Sequence, residues 1–126
     1  MPVLDALERL RLDPAFMAHV SAWERLPPRP ARYAEAPAGL SPRLLAALRQ
    51  RGTSPLYTHQ AAAVEAALAG ENLVVVTGTA SGKTLCYNLP VLQTVLEDAE
   101  ARALYLFPTK ALTQDQAAAL GGLLEA

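Results

Sequence analysis

A short apolar run that leads through a turn of small residues into an amphipathic helix is the feature that most constrains this fold. The run is Leu73 to Val76, the turn reads TGTASG, and the predicted helix extends from Lys83 to about Glu97. A second apolar run, Ala103 to Phe107, precedes a helix predicted from Lys110 to about Leu120. Strands that alternate with helices in this way are typical of an α/β fold, a parallel sheet with flanking helices.

The turn itself has the residues of a phosphate-binding loop. It has the GK[ST] ending and the spacing of a P-loop, with Thr77 where the strict pattern has glycine. Small residues let successive backbone N–H groups surround phosphate oxygens, and the positive end of the following helix adds to the attraction. The alternative is an ordinary turn in which GKT occurs by chance. The predicted cradle consists of Thr77, Gly78, Thr79, Ala80, Ser81, Gly82, Lys83 and Thr84.

The last three residues of this loop have individual predicted roles. Gly82 should lie where a side chain would clash. Lys83 should supply a positive charge to the β and γ phosphates, and Thr84 should supply a hydroxyl to Mg²⁺. We expect the Lys83 side chain to face solvent when no ligand is bound. Lys83 and Lys110 are the only lysines among eleven basic residues, and a compact ammonium suits a phosphate cradle better than a planar guanidinium.

Composition excludes several classes of protein. The chain has 126 residues, of which 52% are hydrophobic and 18% charged, so it can bury the core of one modest domain. Cys86 is the single cysteine, which excludes an internal disulfide, and with only His19 and His59 a four-ligand zinc site cannot form. No apolar run reaches the roughly 18 residues of a membrane span, and the first residues do not resemble a signal peptide. We therefore expect a cytoplasmic protein with no membrane contact.

Charge and proline divide the chain near residue 55. Residues 1–55 contain eight arginines against five acidic residues, whereas residues 56–126 contain three basic residues against seven acidic ones. Six of the ten prolines lie between Pro27 and Pro55, which favours an extended or turn-rich connector. We predict an accessory segment over 1–55 and a nucleotide-binding domain over 56–126. The net charge of −1 excludes nucleic-acid binding by a general basic surface alone.

Three further helices are predicted before the loop. The first covers residues 14–26, where Phe16, Val20 and Trp23 are spaced by about one turn. The second begins at Ser41-Pro42, with a capping hydroxyl and a proline at the first helical position, and ends at Gly52. The third runs from Thr58 to Ala69. The accessory segment should therefore be helical and proline-rich.

Three motifs in order resemble those of superfamily 2 helicases. The loop is similar to motif I, FPTKAL (residues 107–112) to motif Ia, and LYTHQ (residues 56–60) to the Q motif. LPxRPARY, YxHQ, TGTASGK, LCYxLPVL and ALYLFPTKAL also occur in the order seen in the MrfA-like (YprA-like) branch of DEAD/DEAH-box helicases. The resemblance implies part of the first RecA-like domain, a partial P-loop domain preceded by the N-terminal segment.

The resemblance also implies residue roles and ligands. Gln60 would read the adenine edge of ATP, and Tyr57 would pack against the base. Pro108, Thr109 and Lys110 would line the track of one nucleic-acid strand, DNA in preference to RNA. The alternatives are a capping or surface glutamine, a core tyrosine, and an ordinary proline turn before a helix.

The resemblance further implies an ATP-dependent DNA helicase that works on single-stranded or unwinding duplex DNA. In that family, hydrolysis also requires a DExH or DEAD-type motif and a second RecA-like domain, and neither is present in these 126 residues. The expected partner is therefore the missing remainder of the motor, and the chain alone should not hydrolyse ATP. The alternative function is a non-catalytic module that binds nucleotide or a partner protein. A small-molecule kinase is disfavoured because it needs neither Gln60 nor PTKAL.

Overall fold

A computed structural model describes residues 2–124. Backbone contacts divide the chain into two compact units, Met1–Pro30 and Ala31–Ala126. The predicted functional boundary near residue 55 stays a prediction. The described residues form the helices α1 (Val3–Leu12), α2 (Pro14–Met17), α3 (Pro42–Gln50), α4 (Thr58–Leu68), α5 (Thr84–Glu97) and α6 (Lys110–Leu124), and the strands β1 (Tyr33–Ala34) and β2 (Leu56–Tyr57).

The first unit contains α1 and α2. Asp13 caps α2, since its carboxylate accepts hydrogen bonds from the N–H groups of Ala15 and Phe16. The helix predicted over residues 14–26 is wrong beyond Met17, and α1 was not predicted. Phe16 and Trp23 remain 38% and 37% exposed. A short helix gains little without a buried face, so apolar spacing alone does not extend α2.

The predictions for α3, α4, α5 and α6 are confirmed in type, with ends shifted by a few residues. At the start of α3, the Ser41 hydroxyl accepts a hydrogen bond from Leu44 N–H at 3.3 Å, and Pro42 occupies the first helical position. Gly52 follows α3 with a φ of +66°, a conformation that glycine adopts without strain. The local signals for capping and termination were therefore sufficient here.

The core lies mainly between α4 and α5 and also includes residues from α3 and β2. Val64 of α4 and Leu89 of α5 are completely buried. Pro90 lies inside α5 and interrupts its backbone bonding. The buried apolar cluster consists of Leu40, Leu44, Leu48, Leu56, Ala61, Val64, Leu89, Leu92 and Leu123.

Strands β1 and β2 form a two-stranded antiparallel sheet. Tyr33 pairs with Tyr57, and Ala34 pairs with Leu56. The N–H of Thr58, the first residue of α4, donates to Arg32 O at 3.0 Å. The pairing therefore holds residues 32–34 beside the start of α4.

The predicted parallel sheet does not form within residues 2–124. Residues 73–76 and 103–107 lie outside every described helix and strand, and they pair neither with each other nor with another described strand. An alternation of period two is nevertheless present, since Val75 and Tyr105 are half-buried while their neighbours face outward. A strand requires a backbone partner, and neither segment has one among the described residues. The outward residues, 83% to 88% exposed, are Val74, Val76, Leu104 and Leu106.

Among residues 2–124, no helix has the length and apolar character needed to span a membrane.

Candidate nucleotide-binding site

The loop before α5 changes backbone direction at two left-handed residues. Ala80 has a φ of +57° and Gly82 a φ of +74°. A Cβ added at Gly82 would lie 2.5 Å from Gln60 Nε2. The expectation that a side chain would clash at Gly82 is confirmed, and both the φ angle and the contact require glycine.

The loop presents a run of available backbone donors. The N–H groups of residues 78–83 make no hydrogen bond within the described part of the chain. Helix α5 begins immediately afterwards, at Thr84, so its N-terminal N–H groups and positive dipole end adjoin the same loop. This combination suits an anion such as a phosphate group.

The Lys83 side chain folds back onto the loop. Its Nζ donates to Gly78 O at 2.6 Å and to Thr77 O at 3.0 Å. The side chain is half-buried, so the expectation that it faces solvent is wrong. An ammonium group has three donors, and the carbonyl oxygens of its own loop satisfy them in place of water.

Thr77 closes the loop through its side chain. Its hydroxyl lies 2.6 Å from the Ser81 hydroxyl, and Lys83 Nζ lies 3.3 Å from both oxygens. The residue that departs from the strict P-loop pattern therefore joins the two ends of the turn. The Thr79 side chain makes no hydrogen bond within residues 2–124, and Ala80 has no polar side-chain atom.

Gln60 ties the start of α4 to the loop. Its Nε2 donates to Gly82 O at 2.9 Å, and its Oε1 accepts from Tyr57 N–H at 2.8 Å. Only 3% of Gln60 is exposed. The neighbouring His59 adds a second tie, between its Nε2 and Ser81 O at 2.9 Å. The structure therefore shows the capping contact, while the adenine role of Gln60 stays a prediction.

Tyr57 belongs to a cluster of stacked rings. Its ring centroid lies 5.3 Å from that of Tyr33 and 5.8 Å from that of His59, and both pairs are nearly parallel. Tyr57 is 37% exposed, so it is not a core tyrosine. Sequence reasoning missed Tyr33 and His59 as neighbours of the site. The signal for Tyr33 was its place in the RPARY segment, which β1 pairs with β2.

Thr84 has a partner that sequence reasoning also missed. Its hydroxyl lies 3.3 Å from Gln116 Oε1, and the Tyr87 hydroxyl lies 2.8 Å from the same oxygen. Gln116 belongs to α6, so this contact joins the end of the loop to a distant helix. No cluster of three or more acidic, histidine or cysteine side chains suited to a metal occurs among residues 2–124.

Pro108, Thr109 and Lys110 are exposed at the start of α6. The Thr109 hydroxyl accepts a hydrogen bond from Leu112 N–H at 3.3 Å, as a helix cap does. The structure therefore shows the helix-start role of this segment. Gln116 of the same helix contacts Thr84 at the end of the loop.

A cavity of about 590 Å³ lies beside α5, next to residues 73–76 and 103–107. Most of its lining is apolar, including Leu73, Val75 and Val91. It does not suit the phosphates of a nucleotide. Burial raises the pKa of the Cys86 thiol at its wall, which favours the thiol over the reactive thiolate.

Residues 57–126 match the family model described as DEAD/DEAH box helicase. This chain belongs to the DEAD/DEAH box helicase family. Over 107 residues it is 50% identical to the ATP-dependent helicase YprA of Bacillus subtilis, which covers 85% of this chain and 14% of YprA. Over 110 residues it is 34% identical to the ATP-dependent helicase HRQ1 of Saccharomyces cerevisiae, which covers 87% of this chain and 10% of HRQ1.

Solved helicase structures share the fold. A crystal structure of the DUF1998 helicase MrfA bound to DNA and AMPPNP matches with a TM-score of 0.84 and 45% identity, over 97% of this chain and 17% of MrfA. A second structure of MrfA, bound to DNA, has the same TM-score and 44% identity, over 99% of this chain and 17% of MrfA. The resemblance stated from the sequence is confirmed, as is the RecA-like helicase fold. The chain spans about a sixth or less of the length of these relatives.

Proposed function

We propose that this chain supplies the ATP-binding part of an ATP-dependent DNA helicase. The observation that carries the proposal is the loop of residues 77–84. Its N–H groups at residues 78–83 have no partner within the described residues, and Lys83 Nζ lies in its hollow. Family membership supports the same function, since YprA and HRQ1 are named as ATP-dependent helicases.

The cradle has the donors that a triphosphate requires. Lys83 would exchange the carbonyl oxygens of Thr77 and Gly78 for phosphate oxygens, which form stronger, charge-assisted bonds with an ammonium. Thr84 would present its hydroxyl to Mg²⁺, which neutralises phosphate charge when bound. The residues present therefore fit a Mg²⁺-nucleotide. The 45% identity to MrfA, a structure of which contains AMPPNP, supports ATP as that nucleotide.

The adenine would be recognised at the start of α4. Gln60 would accept from N6 and donate to N7 of the base. Its Oε1 and Nε2 each make one hydrogen bond already, and the second lone pair of the oxygen and the second N–H of the amide would serve the base. Tyr57, partly exposed beside Gln60, would pack against the ring. ATP binding would in this way contact the first turn of α4.

The nucleic-acid contact would lie at the start of α6. Pro108, Thr109 and Lys110 are exposed there, and a hydroxyl, an amide and an ammonium are suited to strand phosphates. DNA is favoured over RNA because the matching MrfA structures contain DNA. The arginines of the accessory segment, residues 1–55, are a competing contact. We place this activity in the cytoplasm, where a buried, reduced Cys86 is the expected state.

This chain alone should not hydrolyse ATP. Hydrolysis requires a positioned water, Mg²⁺ held from two sides and positive charge on the γ-phosphoryl oxygens. Only Lys83 and Thr84 are available here for these tasks. The remaining groups would come from the missing remainder of the motor. Phosphate release with and without single-stranded DNA is the assay, and DNA-stimulated release that depends on Lys83 would contradict this expectation.

The test of the site uses the two lysines of the chain. Lys83→Ala should weaken binding of a fluorescent ATP analogue about tenfold or more, because a charge-assisted contact worth roughly 1.5–3 kcal/mol is lost. Lys110→Ala is the matched control, since it removes the same side chain from an exposed position on α6. Lys83→Ala with the wild-type affinity would overturn the proposed function.

A further inference from the structure

We propose that Gln116 of α6, together with Tyr87 of α5, is a positioning residue for the Thr84 hydroxyl, and that α6 is thereby part of the Mg²⁺-nucleotide site. This inference rests on the proposed function, because it concerns the hydroxyl that would face Mg²⁺. Nothing in the P-loop pattern requires such a contact, since Gln116 lies 32 residues beyond Thr84.

The three side chains form one small polar cluster. Gln116 Oε1 lies 3.3 Å from the Thr84 hydroxyl and 2.8 Å from the Tyr87 hydroxyl, and the two hydroxyls lie 3.5 Å apart. All three residues are half-buried. An amide carbonyl oxygen has two lone pairs and no proton. Both hydroxyls therefore donate to it.

That direction matters for a cation. A threonine hydroxyl has one proton and two lone pairs, and a cation can use only the lone pairs. By accepting the hydrogen bond of the Thr84 hydroxyl, Gln116 turns the lone pairs of the hydroxyl away from α6 and leaves them available. Tyr87 acts on Gln116 in turn, because its shorter hydrogen bond holds the carbonyl in place.

Outer groups that orient a metal ligand have measurable effects. Without Gln116 the Thr84 hydroxyl would rotate among staggered positions. Mg²⁺ binding would then have to order the hydroxyl, and the entropy lost would weaken Mg²⁺ affinity. Loss of such an orienting partner typically costs about 10- to 100-fold in metal affinity. The effect should therefore appear in the contribution of Mg²⁺ to nucleotide affinity and not in nucleotide affinity itself.

The experiment measures that contribution directly. A fluorescent ADP analogue is titrated onto the full chain with Mg²⁺ and with EDTA, and the ratio of the two dissociation constants is compared among variants. Gln116→Met keeps the length of the side chain but removes the acceptor, Gln116→Glu keeps the acceptor, and Tyr87→Phe removes one hydroxyl. Gln114→Met, on the same helix at an exposed position, is the matched control.

Gln116→Met should reduce the ratio about tenfold while leaving the affinity in EDTA unchanged. Gln116→Glu should keep the ratio at or above the wild-type value, Tyr87→Phe should reduce it less than Gln116→Met does, and Gln114→Met should not change it. The inference is overturned if Gln116→Met keeps the wild-type ratio, if it weakens binding equally in EDTA, or if Gln116→Glu behaves like Gln116→Met. The last comparison holds even if Gln116→Met disturbs folding.

Lys83→Ala in the same assay separates this inference from the proposed function. If Lys83→Ala leaves the affinity in EDTA unchanged, the loop does not bind phosphate and both proposals fail. If Lys83→Ala weakens binding but the Gln116 variants do not alter the Mg²⁺ ratio, the nucleotide site stands and only the role of Gln116 is lost.

Discussion

Gly82 and Gln60 show how closely the loop and the first turn of α4 depend on each other. Gly82 lacks a side chain, so its carbonyl and the Gln60 amide can approach to 2.9 Å. Gln60 in turn is buried only because that carbonyl and the Tyr57 N–H satisfy it. A substitution at either residue should therefore disturb the hydrogen bond that the other makes.

Gly82→Ala should weaken nucleotide binding and lower the free energy of unfolding by about 1–3 kcal/mol, because the left-handed φ becomes strained and the new Cβ meets Gln60. Gly52→Ala is the matched control, since Gly52 also has a left-handed φ but lies outside the loop, and a Cβ there meets nothing within 4 Å. Urea unfolding and nucleotide titration measure the two effects. Equal results for the two variants would show that Gly82 is not required by its contact.

Gln60→Ala should abolish a preference for ATP over GTP. Adenine presents a donor at N6 where guanine presents an acceptor at O6, so an amide fixed for one base rejects the other. Gln93→Ala is the control for a buried glutamine, because Gln93 is 5% exposed and bonded to Ser41 N–H and Glu97. Competition titrations give the preference. If it survives in Gln60→Ala, Gln60 serves only to join α4 to the loop.

The residues of the candidate site could be predicted from sequence, but some of their bonds could not. TGTASGKT located the loop and the clash at Gly82. The inward turn of Lys83 depends on two carbonyls that no pattern records. Gln116 was missed because it lies 32 residues from Thr84 in the sequence, and only the folded structure brings the two side chains together. Tyr33 was missed because its position depends on the pairing of β1 with β2.

At the scale of the elements, helices with a buried face were predicted well and those without one were not. Helices α3, α4 and α5 each contribute to the core, and their period of 3.6 residues reports that burial. In contrast, α1 buries no residue. Its apolar positions therefore give no reliable signal. Tertiary packing, more than helix propensity, decides which predicted helices extend.

Leu89→Ala should lower the free energy of unfolding by about 2–5 kcal/mol, because the removed methyl groups leave a cavity between α4 and α5. Leu89 is completely buried, whereas Leu96 of the same helix is 44% exposed. Leu96→Ala should therefore have a much smaller effect. Urea unfolding followed by circular dichroism tests both variants. Similar losses would mean that this contact does not hold the unit together.

At the scale of the whole molecule, the strands were predicted locally but their sheet was not observed. The alternation within residues 73–76 and 103–107 is that of strands, yet neither has a partner in the described part of the chain. Strand pairing depends on residues distant in sequence, which local patterns do not identify. The relatives are about six to nine times as long as this chain, since the matched residues make up only 10% to 17% of them. Their additional length includes ample sequence for such partners.

The outward face of these two segments should make the isolated chain self-associate. Val74, Val76, Leu104 and Leu106 are 83% to 88% exposed, and apolar segments with free backbone groups pair readily with other chains. The double variant Val76→Thr and Leu106→Thr keeps β-branched or strand-compatible residues but removes apolar surface, so sedimentation should shift toward the monomer. The matched control is Leu12→Gln with Leu26→Gln. It replaces two leucines of similar exposure, 80% and 82%, that lie outside residues 73–76 and 103–107. If association falls equally in both double variants, general hydrophobicity causes it and this face does not. A wild-type chain that is monomeric at all concentrations would contradict the prediction.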